Sequence, residues 1–114
     1  MRKQDIYLEE IKEKLRKIDP YKIIIFGSMA NGEYDEESDI DLLVILDSEH
    51  VSQNYEEKME NKMLVRDALG DISSKIPIDL LVYTKREYEI IMNNKNSFFK
   101  EISNKGRALY EKAG

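Results

Sequence analysis

Cysteine is absent from the 114-residue sequence, and histidine occurs only once, at His50. The absence of cysteine excludes disulfides, thiolate zinc sites and cysteine nucleophiles. Long apolar runs are missing too, since none approaches the roughly 20 residues that a membrane-spanning helix needs. We therefore expect a cytoplasmic protein that does not enter a membrane, with His50 on its surface.

Positive charge is in the minority. Lysine and arginine total 18 against 23 aspartates and glutamates, which gives a net charge of −5. Proteins that bind nucleic acid mainly through its backbone use basic side chains to displace phosphate counterions, so a nucleic-acid template is not an expected partner. Hydrophobic residues make up 41% of the chain, enough to argue against intrinsic disorder. We predict one domain over residues 1–114.

Periodic apolar residues predict the helices. The first helix carries Leu8, Ile11, Leu15 and Ile18 on one side and ends at Asp19-Pro20. Thr84 and Glu87 have the spacing of a capping box and predict the start of another helix. A further helix is predicted over residues 51–69, ending at Gly70, and a last one is predicted to be capped by Ser97 and ended by Gly106. The packed side of the 51–69 helix is predicted to carry Val51, Tyr55, Met59 and Met63.

Runs of apolar and β-branched residues predict four strands. They are expected over residues 21–26, 39–46, 76–83 and 107–111. The 21–26 strand is nearly continuous in apolar residues, which suits a strand that is covered on both faces.

Two carboxylates mark the start of the second strand. Side chains alternate between the faces of a strand, so Asp39 and Asp41 are predicted to project to the same side, with Cα atoms roughly 6.5 Å apart. Aspartate is depleted in strands, and a hard oxygen-binding cation such as Mg²⁺ would neutralise this pair. Asp79 is an isolated charge in the third strand, and it could complete a three-carboxylate site if that strand neighbours the second.

Gly27 and Ser28 form a candidate phosphate site at the end of the first strand. Glycine lets the backbone approach a ligand closely, the N–H groups of a following helix would point at an anion, and the serine hydroxyl adds a donor. A nucleoside triphosphate carrying Mg²⁺ would fit adjoining anion and cation sites, because the ion bridges phosphate oxygens and carboxylates.

The pattern of Gly27-Ser28, ten intervening residues and then Asp39-Ile40-Asp41, with Asp79 on a later strand, resembles the DNA polymerase β-type nucleotidyltransferase superfamily. The small size is similar to that of its minimal nucleotidyltransferases. The resemblance implies an α+β fold, with a small mixed sheet flanked by helices. It also implies that Gly27 and Ser28 bind the triphosphate of ATP, and that Asp39, Asp41 and Asp79 are catalytic and hold two Mg²⁺ ions.

The resemblance further implies a partner protein. Minimal nucleotidyltransferases often accompany a HEPN-type ribonuclease toxin and act as antitoxins that attach AMP to a toxin tyrosine, so a hetero-oligomer is a possible assembly. The chain departs from the family pattern after Gly-Ser, where Met29 and Asn31 replace the usual basic residues. Lys58, Lys62, Lys85 or Arg86 would then have to supply the charge from elsewhere.

Simpler roles stay open for the same residues. Asp39 and Asp41 could face water at a solvated strand start, and Asp79 could be an edge-strand charge that discourages sheet pairing. The whole chain could also keep the fold without catalysis and neutralise a toxin by binding it. An enzyme needs the carboxylates and magnesium, whereas a binding module does not.

Overall fold

The computed structural model describes residues 3–27 and 39–112. A 3₁₀ turn, Arg16–Ile18, follows the first helix. The helices are α1 (Lys3–Leu15), α2 (Tyr55–Leu69), α3 (Ile72–Lys75), α4 (Lys85–Asn93) and α5 (Ser97–Lys105), and the strands are β1 (Lys22–Phe26), β2 (Ile40–Leu46), β3 (Ile78–Thr84) and β4 (Arg107–Glu111). None of the helices in these two ranges is long and apolar enough to cross a bilayer.

The strands form one mixed sheet in the order β3-β2-β1-β4. β1 pairs antiparallel with both β2 and β4, and β2 pairs parallel with β3. β3 is an edge strand, and Pro77 stands just before it, where a missing N–H costs no ladder hydrogen bond. The predicted α+β fold, a small mixed sheet flanked by helices, is confirmed.

Both faces of the sheet are covered because the central strands alternate between two apolar clusters. Ile23, Ile25 and Val44 belong to the cluster that packs under α1, α2 and α3. Ile24 and Ile45 belong to a second cluster, which α5 completes on the opposite face with Phe99 and Ile102. Continuous apolar runs in β1 and β2 are what a strand covered on both faces requires.

The first helix packs as its periodicity predicts. Leu8, Ile11 and Leu15 are all buried in the first apolar cluster. Asp19 then takes up the left-handed conformation, with φ 49°, and the chain turns into β1.

The predicted packed side of α2 is wrong. The helix begins at Tyr55, where Asn54 caps it by accepting a hydrogen bond from the backbone N–H of Glu57, and its buried residues are Val65 and Leu69. Tyr55 is 74% exposed and Met63 47% exposed. Two apolar stripes run along this helix, and periodicity alone does not say which one meets the core. The predicted end at Gly70 is confirmed, with φ 63° and its N–H bonded to the carbonyl of Arg66.

The structure corrects one predicted helix cap and adds one short helix. Asn96, and not Ser97, caps α5 by accepting from the N–H groups of Phe98 and Phe99. The four-residue α3 was not predicted, because one turn is too short to show a period; its Ile72 is buried.

The predicted capping box at the start of α4 is confirmed, and it also fixes the chain after β2. The Thr84 hydroxyl donates to the carbonyl of His50 at 2.7 Å and accepts from the N–H of Glu87 at 3.1 Å. The Glu87 carboxylate accepts from the N–H groups of Thr84 and Ser52, each at 2.9 Å. Thr84 and Glu87 are both buried, and they therefore connect the β2–α2 loop to the start of α4.

Thr84→Ala should lower the free energy of unfolding by about 1–3 kcal/mol, because it removes a helix cap and leaves the carbonyl of His50 without its donor. Thr84→Ser is the matched control, since it keeps the hydroxyl, and it should retain most of the stability. Urea denaturation of the two variants and the wild type measures the difference. Equal stability of the alanine and serine variants would contradict the capping role.

Candidate functional site

The candidate site lies at one end of the sheet, where β1 ends and the other three strands begin. Phe26, the last residue of β1, pairs with Asp41 near the start of β2. Ile25 pairs with Arg107, the first residue of β4. Four chain segments therefore meet at this end of the sheet, the end of β1 and the starts of β2, β3 and β4. They meet because β1 runs antiparallel to both of its neighbours and β2 runs parallel to β3.

The parallel register places Asp41 directly beside Asp79. Neighbouring residues in register project to the same face of a sheet, so the two carboxylates lie side by side. The sequence predicted this arrangement only if the third strand is the neighbour of the second, and the strand order meets that condition. Asp39 lies one residue before β2 and is exposed, as is Asp79.

The carboxylate of Asp41 has a raised pKa. It is half-buried, and burial raises its pKa, with further upward contributions from the charges of Asp79 and then Asp39. All of these influences act in the same direction and disfavour the ionised form. The three aspartates are thus close enough for two of them to raise the pKa of the third, and a bound cation would reverse that effect.

Gly27 closes directly against Asp41. Its φ is +73°, and a Cβ placed on Gly27 would overlap the carboxylate oxygen of Asp41 and lie 3.2 Å from its Cγ. Only glycine combines this backbone conformation with so close an approach. The backbone at the end of β1 therefore borders the carboxylates, as the predicted phosphate site requires.

The donor chemistry suits a hard cation, since carboxylate oxygens are the ligands that Mg²⁺ prefers. Within residues 3–27 and 39–112, however, no three histidine, cysteine or acidic side chains are already gathered as a metal site. Ser28, Met29 and Asn31, on which the phosphate prediction also depends, lie outside the described residues.

Three of the four basic residues considered as replacements for the loop charge, Lys58, Lys85 and Arg86, have other contacts. Lys58 lies over the ring of Tyr83 at 5.1 Å, and Lys85 lies over that of Tyr21 at 4.8 Å. Tyr83 pairs with Ile45, near the end of β2 that is far from Asp41. Arg86 is paired with Glu89. These contacts give Lys58 and Lys85 roles at the opposite end of the sheet.

A pocket beside Gly27 was not predicted from the sequence. It has a volume of about 290 Å³, and we call it the α5 pocket because most of its walls come from that helix. It is lined by Phe26, Gly27, Phe98, Glu101, Ile102, Lys105 and Gly106. The sequence carried one signal for it, the adjacent pair Phe98 and Phe99. Neighbouring residues of a helix point in different directions, so only one of the two rings can pack into the protein core. Phe99 is buried and Phe98 is 50% exposed.

Sequence comparison finds relatives over most of the chain. A family model described as a nucleotidyltransferase domain matches residues 8–112. The protein MJ0604 of Methanocaldococcus jannaschii, provisionally named a protein adenylyltransferase, is 36% identical over 91 residues, which are 78% of this chain and 77% of that protein. MJ0141 of the same organism, provisionally named likewise, is 31% identical over 96 residues, covering 84% and 80%.

Two solved structures share the fold. A structure from Sulfolobus solfataricus, provisionally described as a nucleotidyltransferase, superposes with a TM-score of 0.56 at 23% identity, over 76% of this chain and 75% of that one. A structure described as a toxin-antitoxin with AMP-PNP gives a TM-score of 0.51 at 18% identity, over 92% and 73%. The predicted resemblance is confirmed by these matches. The chain, with its aspartates aligned across β2 and β3, belongs to the nucleotidyltransferase domain family.

Proposed function

We propose that this nucleotidyltransferase transfers AMP from ATP to a hydroxyl group of a partner protein, a tyrosine of a HEPN-type toxin that it thereby silences. The observation that carries the proposal is the in-register alignment of Asp41 with Asp79, next to the backbone of Gly27. The two relatives provisionally named protein adenylyltransferases support AMP as the transferred group and a protein as the acceptor. The fold neighbour with a toxin-antitoxin description supports a toxin as the partner.

The reaction is an in-line displacement at the α-phosphorus. The acceptor oxygen forms a bond to that phosphorus while the bond to the bridging oxygen of the β-phosphate breaks, and pyrophosphate leaves with the electron pair. Asp79 is the residue proposed to take the proton of the attacking hydroxyl, since its exposed carboxylate on the edge strand is open to an approaching partner.

Gly27 and Ser28 are proposed to bind the triphosphate, and Asp39, Asp41 and Asp79 to hold two Mg²⁺ ions. Bound magnesium would supply charge neutralisation at the phosphate oxygens and activation of the acceptor hydroxyl. Burial, together with the charges of Asp79 and Asp39, raises the pKa of Asp41, and a bound cation would offset that cost of ionisation. Asp41 is thus the residue whose replacement most directly tests the mechanism.

Asp41→Asn should reduce transfer by at least about a thousandfold, because it removes the half-buried anionic ligand around which the site is built. The assay mixes the purified protein with Mg²⁺, ATP labelled at the α-phosphate and a co-purified HEPN-type toxin, and measures label on the toxin. Asp47→Asn, at the other end of β2, is the control and should label normally. Undiminished labelling by Asp41→Asn, or in EDTA, would rule out the metal-dependent mechanism. No labelling by the wild type would instead favour a protein-binding antitoxin without catalysis.

Asp79→Asn should separate nucleotide binding from chemistry. If Asp79 mainly serves the acceptor hydroxyl, this variant keeps Mg·ATP affinity within a few-fold of the wild type and yet loses transfer. Titration calorimetry and the labelling assay, run on the same preparation, measure the two properties. Transfer at the wild-type rate would leave Asp79 only its edge-strand role of discouraging sheet pairing.

The carboxylate cluster should also cost stability when no cation is present. Because the pKa of Asp41 is raised above its ordinary value of 3.8, ionisation costs more in the folded chain than in the unfolded chain. The penalty is absent below pH 3.8 and develops as the pH rises through the raised folded value. In EDTA at pH 7, Asp41→Asn should therefore melt at the same temperature as the wild type or higher, with the difference vanishing in acid.

Asp47→Asn is the control of opposite sign for these melts. A hydrogen bond from Lys112, at 2.7 Å, lowers the pKa of Asp47, so this variant should melt at a lower temperature at pH 7. Mg·ATP should raise the melting temperature of the wild type and have little effect on Asp41→Asn. A metal-free Asp41→Asn protein that is markedly less stable than the wild type would contradict the repulsion.

A further inference from the structure

The α5 pocket adjoins the carboxylate site at Gly27. Gly27 lines the pocket, and the same residue closes against the carboxylate of Asp41. Gly106 forms the far side, where a Cβ would overlap the carbonyl of Ile102 and lie 2.7 Å from Cγ2 of Ile24. Glycine therefore stands on both sides of the pocket where the backbone packs tightly, at Gly106 against α5 and β1 and at Gly27 against β2.

The strand order puts this pocket on the nucleotide side of the site. Asp79, on β3, lies to one side of Asp41, whereas Phe26 and Gly27, at the end of β1, lie to the other. In-line displacement requires the acceptor to approach the α-phosphorus from a direction that the rest of the nucleotide leaves clear. An acceptor that arrives over Asp79 leaves the β1 and α5 side for the nucleoside.

Phe98 offers the pocket a half-exposed aromatic ring that is already fixed in place. Its ring meets those of Phe26 and Phe99 edge-to-face, with centroids 6.2 Å and 5.4 Å away. Half of the residue is exposed even so. A ring held by two neighbours loses little freedom when a ligand stacks on it, and flat nucleobases stack on such rings.

The rim of the pocket is polar. Lys105 and Glu101 form an ion pair at 3.1 Å on successive turns of α5 and present a donor and an acceptor side by side. Each nucleobase edge carries donors and acceptors that such a pair can meet. The volume of about 290 Å³ is near the lower end of small-molecule sites, so a base fits while the triphosphate must lie outside, towards Asp41.

We propose that the α5 pocket binds the nucleobase of the nucleotide substrate, with Phe98 as its stacking surface. This inference rests on the proposed function, since it assigns one part of the same substrate. It gives α5 a role in nucleotide binding beyond its packing on the sheet.

The test compares ATP with inorganic tripolyphosphate, which carries the phosphates without a base. Both are titrated with Mg²⁺ into the wild type, Phe98→Ala and Phe98→Leu by calorimetry. Loss of the aromatic surface should weaken ATP binding about tenfold in both variants and leave tripolyphosphate binding unchanged. Phe98→Leu keeps an apolar side chain of similar bulk and guards against a variant that fails to fold. Tyr55→Ala, which removes an exposed aromatic ring from α2, should bind both ligands as the wild type does.

The outcomes separate this inference from the proposed function. Wild-type ATP affinity in Phe98→Leu would overturn the base pocket and leave the transfer reaction standing. An equal loss of affinity for ATP and tripolyphosphate would overturn the base pocket too. Weaker labelling of the toxin at unchanged ATP affinity would also overturn it, and would assign the pocket to the acceptor instead. A wild-type protein that binds neither ligand would overturn the proposed function itself.

Discussion

The parallel pairing of β2 with β3 is the contact on which the rest of the site depends. It sets Asp41 beside Asp79, and a slip of one residue would send one of the two carboxylates to the opposite face of the sheet. The apolar residues that follow each aspartate hold this register, because they must alternate between two buried clusters. Core packing thus fixes the positions of the charges, although the charges themselves repel one another.

This arrangement of carboxylates lowers the stability of the folded protein. A half-buried aspartate beside two other carboxylates disfavours the folded, ionised protein, and the close approach of Gly27 leaves no room for a side chain that could relieve it. Other acids are paired favourably, such as Asp19 and Asp47, which Lys112 joins at the opposite end of β2. The contrast between the two ends of one strand marks the carboxylate end as the candidate functional site, because perturbed pKa values cluster at such sites.

Helix α5 links the architecture of the sheet to that site. Phe99 and Ile102 anchor it in the apolar cluster beneath, and Phe98 and Lys105 line the α5 pocket, which borders Gly27. The same helix leads through Gly106 directly into β4. The segment from α5 to β4 therefore contributes to both the sheet and the pocket.

Local patterns in the sequence determined the identity of most elements and of the chemical groups. The capping box at Thr84, the end of α2 at Gly70 and the paired aspartates at the start of β2 all follow from short-range spacing, which a linear sequence records. Only the tertiary structure decided the features that depend on which chain segments become neighbours. The alignment of Asp79 with Asp41 needed the strand order, and the exposure of Tyr55 needed the choice between two apolar stripes of α2. The α5 pocket likewise brings together Gly27 and Gly106, which are far apart in the chain, and their proximity is a property of the packed sheet and helix, which residue spacing does not encode.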